Sequence, residues 1–259
     1  MFALARYARE AQGGSPNRRA GMEYLELTTN ADRRRTLPDL RRDDPRVSVP
    51  LYTIAEAAQY VGLPYSTLQS WINPGADREP LVTSLARKGY EASIPFIGLA
   101  EAFVLQAARG AGVPRNRIRP GVEAVKRELG LEHALASRLL YTDGAELLVR
   151  YAADDPNLEV ARTRQRQLTK TVRHQLQLLT YAGDGYAARL YLPGYGPANV
   201  VVDPTVAFGY PVVEGKGTRV KDVLERFWAG ESLRTIAYDF DLSEEAVEAL
   251  LRAQTRPTG

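Results

Sequence analysis

The sequence contains no cysteine, and among its 259 residues there are only two histidines, His133 and His174. Without thiols the chain can form no disulfide, no thiolate metal site and no cysteine nucleophile. Two imidazoles unconnected by any ligand spacing give no basis for a metal site either. Phosphate-binding glycine loops are missing: "EGKGTR", residues 214–219, lacks the spacing of a P-loop, and there is no nucleophile elbow and no cluster of metal ligands. These absences exclude most catalytic chemistry. The sequence therefore predicts a protein that is not an enzyme, with no catalytic residue, no metal and no cofactor. Long apolar runs are lacking as well. The best, "GLAEAFVLQAARGAG", is interrupted by Glu101 and Arg109 and falls short of the roughly 18 residues of a membrane span. The first residues hold too short an apolar stretch for a secretory signal. Together these features predict a cytoplasmic location and no membrane partner.

What is present suffices for ordinary packed cores, with 44% hydrophobic residues and a length that suggests about two domains. The formal charge is +3. Ten arginines and seven acidic residues precede Val47, so the whole excess sits in the first stretch and the remainder balances. Local basic patches, and not this small sum, would supply phosphate affinity. Residues 1–45 combine "GGSPNRRAG" and "TTNADRRRTLPDLRRDD" with few core-sized side chains, which predicts a mobile basic arm. Met22 offers a second translation start inside it.

The remaining pattern predicts an α+β fold that is mostly helical. Residues 46–132 read as short helices with one hairpin, "LVTSLARKGYEASIPF", turning at residues 87–89. Two longer helices follow, over 98–109 and from Pro114 to Leu129, the second broken at Pro120. Residues 133–199 predict a small α/β connecting unit. In it "RLLYTDGAELLVRY" forms two strands around Asp143-Gly144, "LEVART" another strand, "QLTKTVRHQLQLLTYA" an amphipathic helix and "YAARLYLPG" a closing strand. Residues 200–255 predict a helical domain of three helices. Leu224, Phe227, Trp228, Ile236, Ala237, Phe240, Val247 and Leu250 are expected to form its core and to allow pairing with a second copy.

Chemistry concentrates in "YTIAEAAQYVGLPYSTLQSWI", residues 52–72. Thr53 with Glu56 is a capping box, Gly62 supplies a turn, and Leu68, Trp71 and Ile72 give the second helix one buried stripe. Tyr65, Ser66, Thr67, Gln69 and Ser70 remain for an outer face without charge. In a helix-turn-helix the second helix enters the major groove, where Gln can pair with adenine N6 and N7 and hydroxyls can serve several bases. Two packed helices around a glycine also occur in proteins that never touch DNA, and the flanking basic residues favour the nucleic-acid reading. Arg87 and Lys88 would form a wing on the phosphates. Arg115 and Arg117, with Arg109 and Arg119, form a second cluster with no acid between positions 102 and 122. From Val160 to Gly183 there are five basic residues and no acid, including Arg162, Arg164, Arg166 and Arg173. That run is read as a solvated face, a phosphate contact or a contact for an acidic partner.

The order of "YTIAEAAQYVGLPYSTLQSWI", "RKGY" and a following helix resembles the winged-helix DNA-binding domain of the MerR class over about 50–128. It differs in having Pro64 where a serine cap is common, with Ser66 and Gln69 as an alternative cap that would shorten the reading helix. "FGYPVVEGKGTR" followed by "VKDVLERFWAGESLRTIAYDFDLSEEAVEALLR" resembles the small helical antitoxin domain known as domain of unknown function four-three-three. In combination the two parts resemble long VapB-type antitoxins. The resemblance implies a type II antitoxin that binds operator DNA as a homodimer and neutralises a PIN-like ribonuclease toxin. Arg162, Arg164, Arg166 and Arg173 are then candidates for contact with the carboxylates of the toxin's metal site. A stand-alone regulator that senses a small ligand in the middle sheet is the alternative. The C-terminal helices are not expected to read DNA, because Glu244, Glu245 and Glu248 outweigh Arg252 on the last one.

Overall fold

The computed structural model describes residues 37–76, 78–86, 89, 91–141, 148 and 159–255, with the backbone alone for 159–165 and 255. They belong to one compact unit, Leu37–Gly259. In chain order its helices are α1 (Pro45–Ser48), α2 (Ile54–Val61), α3 (Tyr65–Ile72), α4 (Phe96–Gly110), α5 (Arg115–Leu129) and α6 (Glu159–Leu176). Strands β1 (Leu179–Tyr181), β2 (Ala187–Leu192), β3 (Val200–Val202) and β4 (Val212–Val213) follow, and then α7 (Val220–Trp228), α8 (Leu233–Asp239) and α9 (Glu244–Thr255). The expected class, α+β and mostly helical, is the one observed.

Helix α4 is apolar on nearly every face, which in a globular protein marks a helix surrounded by others. Helices α1, α2, α5 and α6 and the short turn Ala134–Ala136 all pack on it. Helix α5 runs unbroken through Pro120, against expectation. The proline falls early in the helix, where it removes one bond to the preceding turn while Ile118, Val122 and Val125 stay buried.

Residues 37–45, counted in the arm on composition, are packed against the unit. Leu40 and Val47 are buried, and the Tyr186 hydroxyl donates to the Pro38 carbonyl at 3.2 Å. Asp44 caps α1 by accepting from the Arg46 amide at 2.9 Å. The Arg46 guanidinium bridges Asp44 and Asp184, and these contacts hold both carboxyls below the usual carboxylate range. Few apolar residues suffice here because the charged ones find partners. The rest of the expected arm lies outside the described residues.

Strands β1 to β4 form one antiparallel meander in sequence order. Leu190 faces Val202 and Val200 faces Val213, so the sheet continues across position 200 and joins the connecting unit to the C-terminal helices. Arg138–Tyr141, expected to start a strand, are helical, and the Asp143-Gly144 turn lies outside the described residues. "LEVART" is likewise not a strand, since α6 has already begun at Glu159. Its period-two apolar alternation stops after Leu158 and Val160, whereas Leu168, Val172 and Leu176 recur every four residues along the face packed on α4.

In the C-terminal helices Leu224, Ile236, Ala237, Val247 and Leu250 are buried and Phe240 partly so, under the Arg226 guanidinium. Phe227 and Trp228 do not join them: Trp228 is 66% exposed. They continue the apolar stripe of Val220, Val223 and Leu224, but on a last turn that runs past the core. Among the described residues no helix is long and apolar enough to cross a membrane.

Candidate nucleic-acid interface

The helix pair forms for local reasons. The Thr53 hydroxyl accepts from the Glu56 amide at 3.2 Å while the Glu56 carboxylate accepts from the Thr53 amide at 2.8 Å, which completes the capping box of α2. Gly62 ends that helix at φ 71°, a left-handed conformation costly for any residue with a Cβ. Leu63 then drops into the core with no exposed surface.

Pro64 occupies the N-cap of α3 without a side-chain bond, its fixed φ suiting a helix start. The helix begins at Tyr65, so Ser66 is not its cap and the reading helix is not shortened. Leu68, Trp71 and Ile72 are buried, and Tyr65, Ser66, Gln69 and Ser70 are exposed, with Thr67 between the two classes. The Ser70 hydroxyl donates to the Thr67 carbonyl at 2.7 Å, which leaves its oxygen as an acceptor toward solvent.

The expected hairpin is absent as paired strands among the described residues, where Ile94 forms only an isolated bridge with Tyr52. Its donors go elsewhere: the Leu81 amide to the Trp71 carbonyl at 2.8 Å, and the Thr83 amide to the Glu101 carboxylate at 2.7 Å. One rung survives, from the Leu85 amide to the Ser93 carbonyl at 2.7 Å. Arg87 and Lys88 lie outside the described residues.

Arg115 is exposed on the first turn of α5, Arg117 is half-buried, and Arg119 donates to the Glu79 carbonyl at 2.7 Å. That bond ties the start of α5 to the segment leaving α3 and makes Arg119 a strut. On α6, Leu168 packs over the Gly112 turn between α4 and α5. Arg162, Arg166, Lys170 and Arg173 fall at i, i+4, i+8 and i+11, one row along the helix, with Arg164 outside it. Arg166 and Lys170 are exposed and Arg173 half-buried.

Three polar residues that sequence reasoning missed lie behind this surface. Glu101 and His133 are almost wholly buried and bonded to one another at 3.1 Å, and Thr83 joins them. The available signal was Glu101 itself, a carboxylate in the middle of the apolar run "FIGLAEAFVLQAA". No cluster of His, Asp and Glu among the described residues could hold a metal ion.

A short capped helix, a glycine turn and an uncharged exposed second helix define a helix-turn-helix protein of the DNA-binding type, here continuous with a second helical unit. Residues 50–122 match the family described as "Putative DNA-binding HTH domain", and residues 200–252 match "Protein of unknown function (DUF433)". The chain is 40% identical over 228 residues to a Mycobacterium tuberculosis protein named "Putative antitoxin VapB45", a span that covers 80% of this chain and 95% of that protein. The crystal structure of Rv2018 from the same organism superposes with a TM-score of 0.68 at 39% identity, covering 80% of this chain and 99% of the other. The chain belongs to the VapB45-like family of VapB-type antitoxins.

Proposed function

We propose that the chain is the antitoxin of a type II toxin-antitoxin pair. It acts in the cytoplasm without catalysing a reaction, binds its own operator as a homodimer, and neutralises a co-encoded PIN-like ribonuclease by direct contact. The observation that carries the DNA-binding half is the outer face of α3. Gln69 is exposed there, and Ser70 beside it offers an oriented acceptor. A Gln in the groove pairs bidentately with adenine, and the serine oxygen accepts from an exocyclic amino group. Phosphates are met by Arg115 and Arg117 and by the wing residues Arg87 and Lys88. Two copies would present their α3 helices to half-sites about 34 Å apart. For the toxin, the row of Arg162, Arg166 and Arg173 on α6, with Arg164 beside it, supplies planar guanidinium groups suited to the carboxylates of a metal-dependent nuclease.

Expression of the adjacent open reading frame in a bacterial host, with and without this chain, tests the reading. Growth arrest by the neighbour, relief by this chain and co-purification of the pair are the expected results. A harmless neighbour that does not bind would remove the antitoxin role from this chain and leave a regulator that senses a small ligand.

A further inference from the structure

The wing is held from beneath by groups that cannot reach DNA. On the outgoing side, the Thr83 amide donates to one carboxylate oxygen of Glu101 at 2.7 Å. The other oxygen accepts from His133 Nδ1 at 3.1 Å, and the Thr83 hydroxyl lies 3.2 Å from the same nitrogen. On the returning side, the Ser93 amide donates to the Tyr52 carbonyl at 2.9 Å. The Leu85–Ser93 rung joins the two sides. Helix α4 comes unusually close to this segment, because Gly98 has no side chain: a Cβ there would run into the Thr83 carbonyl oxygen. Glu101 follows Gly98 on the same helix face and so reaches the Thr83 amide.

A carboxylate with 1% exposure is costly without compensation. The protein supplies an amide from the segment entering the wing and an imidazole from the turn after α5, so three parts of the chain meet at one buried charge. None of this is needed to fill a core, since a leucine at position 101 would bury more apolar surface. What an apolar residue could not do is hold the Thr83 amide in place.

We propose that Glu101 and His133 are positioning residues for operator binding, a buried carboxylate–imidazole pair that sets where the wing stands beside the recognition helix. The inference rests on the DNA-binding part of the proposed function. It also carries a pH dependence. Burial opposes the imidazolium of His133, but the hydrogen bond and charge of Glu101, helped by Glu132 and opposed by Lys126 of α5, outweigh it and raise its pKa above the ordinary value. A raised pKa means that the charged pair is complete below the usual imidazole range and is lost as pH rises through the raised value. The wing is therefore firmest at the acid end.

The test uses the full chain and the DNA upstream of its own gene. Operator affinity is measured across neutral pH for wild type, Glu101→Leu and His133→Asn, with hydrogen exchange of residues 81–93 read on the same samples. Asparagine can place an amide N–H where Nδ1–H stood but cannot be charged, so His133→Asn separates the bond from the titration. Leucine fills the same space without an acceptor for the Thr83 amide. The expected results are a loss of about tenfold in affinity for Glu101→Leu, faster exchange over 81–86, and a wild-type affinity that falls with pH while that of His133→Asn is flat. Unchanged exchange in Glu101→Leu overturns the anchor whether or not DNA binds. Faster exchange in Glu101→Leu, with no DNA binding by any of the three proteins, keeps the anchor and overturns the DNA-binding reading. Equal operator affinity and superimposed pH profiles in all three proteins overturn the positioning role.

Discussion

Gln69 and Ser70 differ in what they can offer a base edge. Gln69 presents a donor and an acceptor side by side, whereas Ser70 has committed its proton to the Thr67 carbonyl and presents an acceptor alone. Adenine would satisfy the first and an amino group in the groove the second, so on the proposed DNA contact neighbouring positions along the helix would read different chemistry. Changing both residues to alanine is expected to weaken operator binding by about 10- to 100-fold, on the scale of one good bidentate contact. Neutralisation of the toxin should be untouched. A gel-shift titration and a growth assay on the same variant check both halves, and wild-type operator affinity in the double variant would remove α3 from base reading. Arg119 shows another case, a basic residue whose sequence context suggests phosphate but whose guanidinium donates to the Glu79 carbonyl and stands beside Glu123. Charge along a sequence does not say which arginines are struts.

Elements whose causes are local are legible in the amino-acid order alone. The capping box of Thr53 and Glu56, the glycine at 62 and the stripe of Leu68, Trp71 and Ile72 all fall within residues 52–72, and α2 and α3 form where they predict. The last three helices are equally legible from their apolar spacing. Sequence patterns mislead where a distant partner decides. Among its described residues the hairpin at 81–96 keeps one rung of its ladder, while other amides bind the end of α3 and a carboxylate on α4. The start of α6 resembles a strand because the apolar residues that define its face lie further along. Glu101 and His133, 32 positions apart, cannot be paired from spacing alone. Helix α6 also carries a prediction at this scale. Alanine at Arg162, Arg166 and Arg173 removes most of its basic row and is expected to weaken toxin binding at least roughly tenfold at low salt, with a smaller effect at high salt where screening already weakens the wild type. Titration of the purified toxin at two ionic strengths tests it. If instead the toxin binds as before and operator affinity loses salt dependence, the row belongs to the DNA.

Across the whole unit, the reading head and the C-terminal helices are fastened at specific points. The buried Tyr52 hydroxyl donates to the Gly209 carbonyl at 2.7 Å, and the Gln59 side-chain Nε2 on α2 donates to the Gln254 side-chain Oε1 on α9 at 2.8 Å. Gln254 in turn reaches the Tyr195 hydroxyl at 3.4 Å. Tyr52 also carries the backbone pairing to Ile94, so one residue ties the base of the wing, the start of α2 and the loop before β4 together. Tyr52→Phe leaves that carbonyl without its donor inside the protein and is expected to cost about 1–3 kcal/mol. Urea unfolding should show a lower midpoint with an unchanged slope. An unaltered midpoint would mean that the fastening contributes nothing to stability.

The same fastening orders events during synthesis. Residues 50–72 leave the ribosome well before the partners of Tyr52 and Gln59, which are Gly209 and Gln254, 157 and 195 positions further on. Contacts between such distant positions form late, and a growing chain cannot form them before both partners exist. The helix pair is buttressed only after residue 254 has been made, so a nascent chain interrupted before that point carries α3 without the support that fixes it.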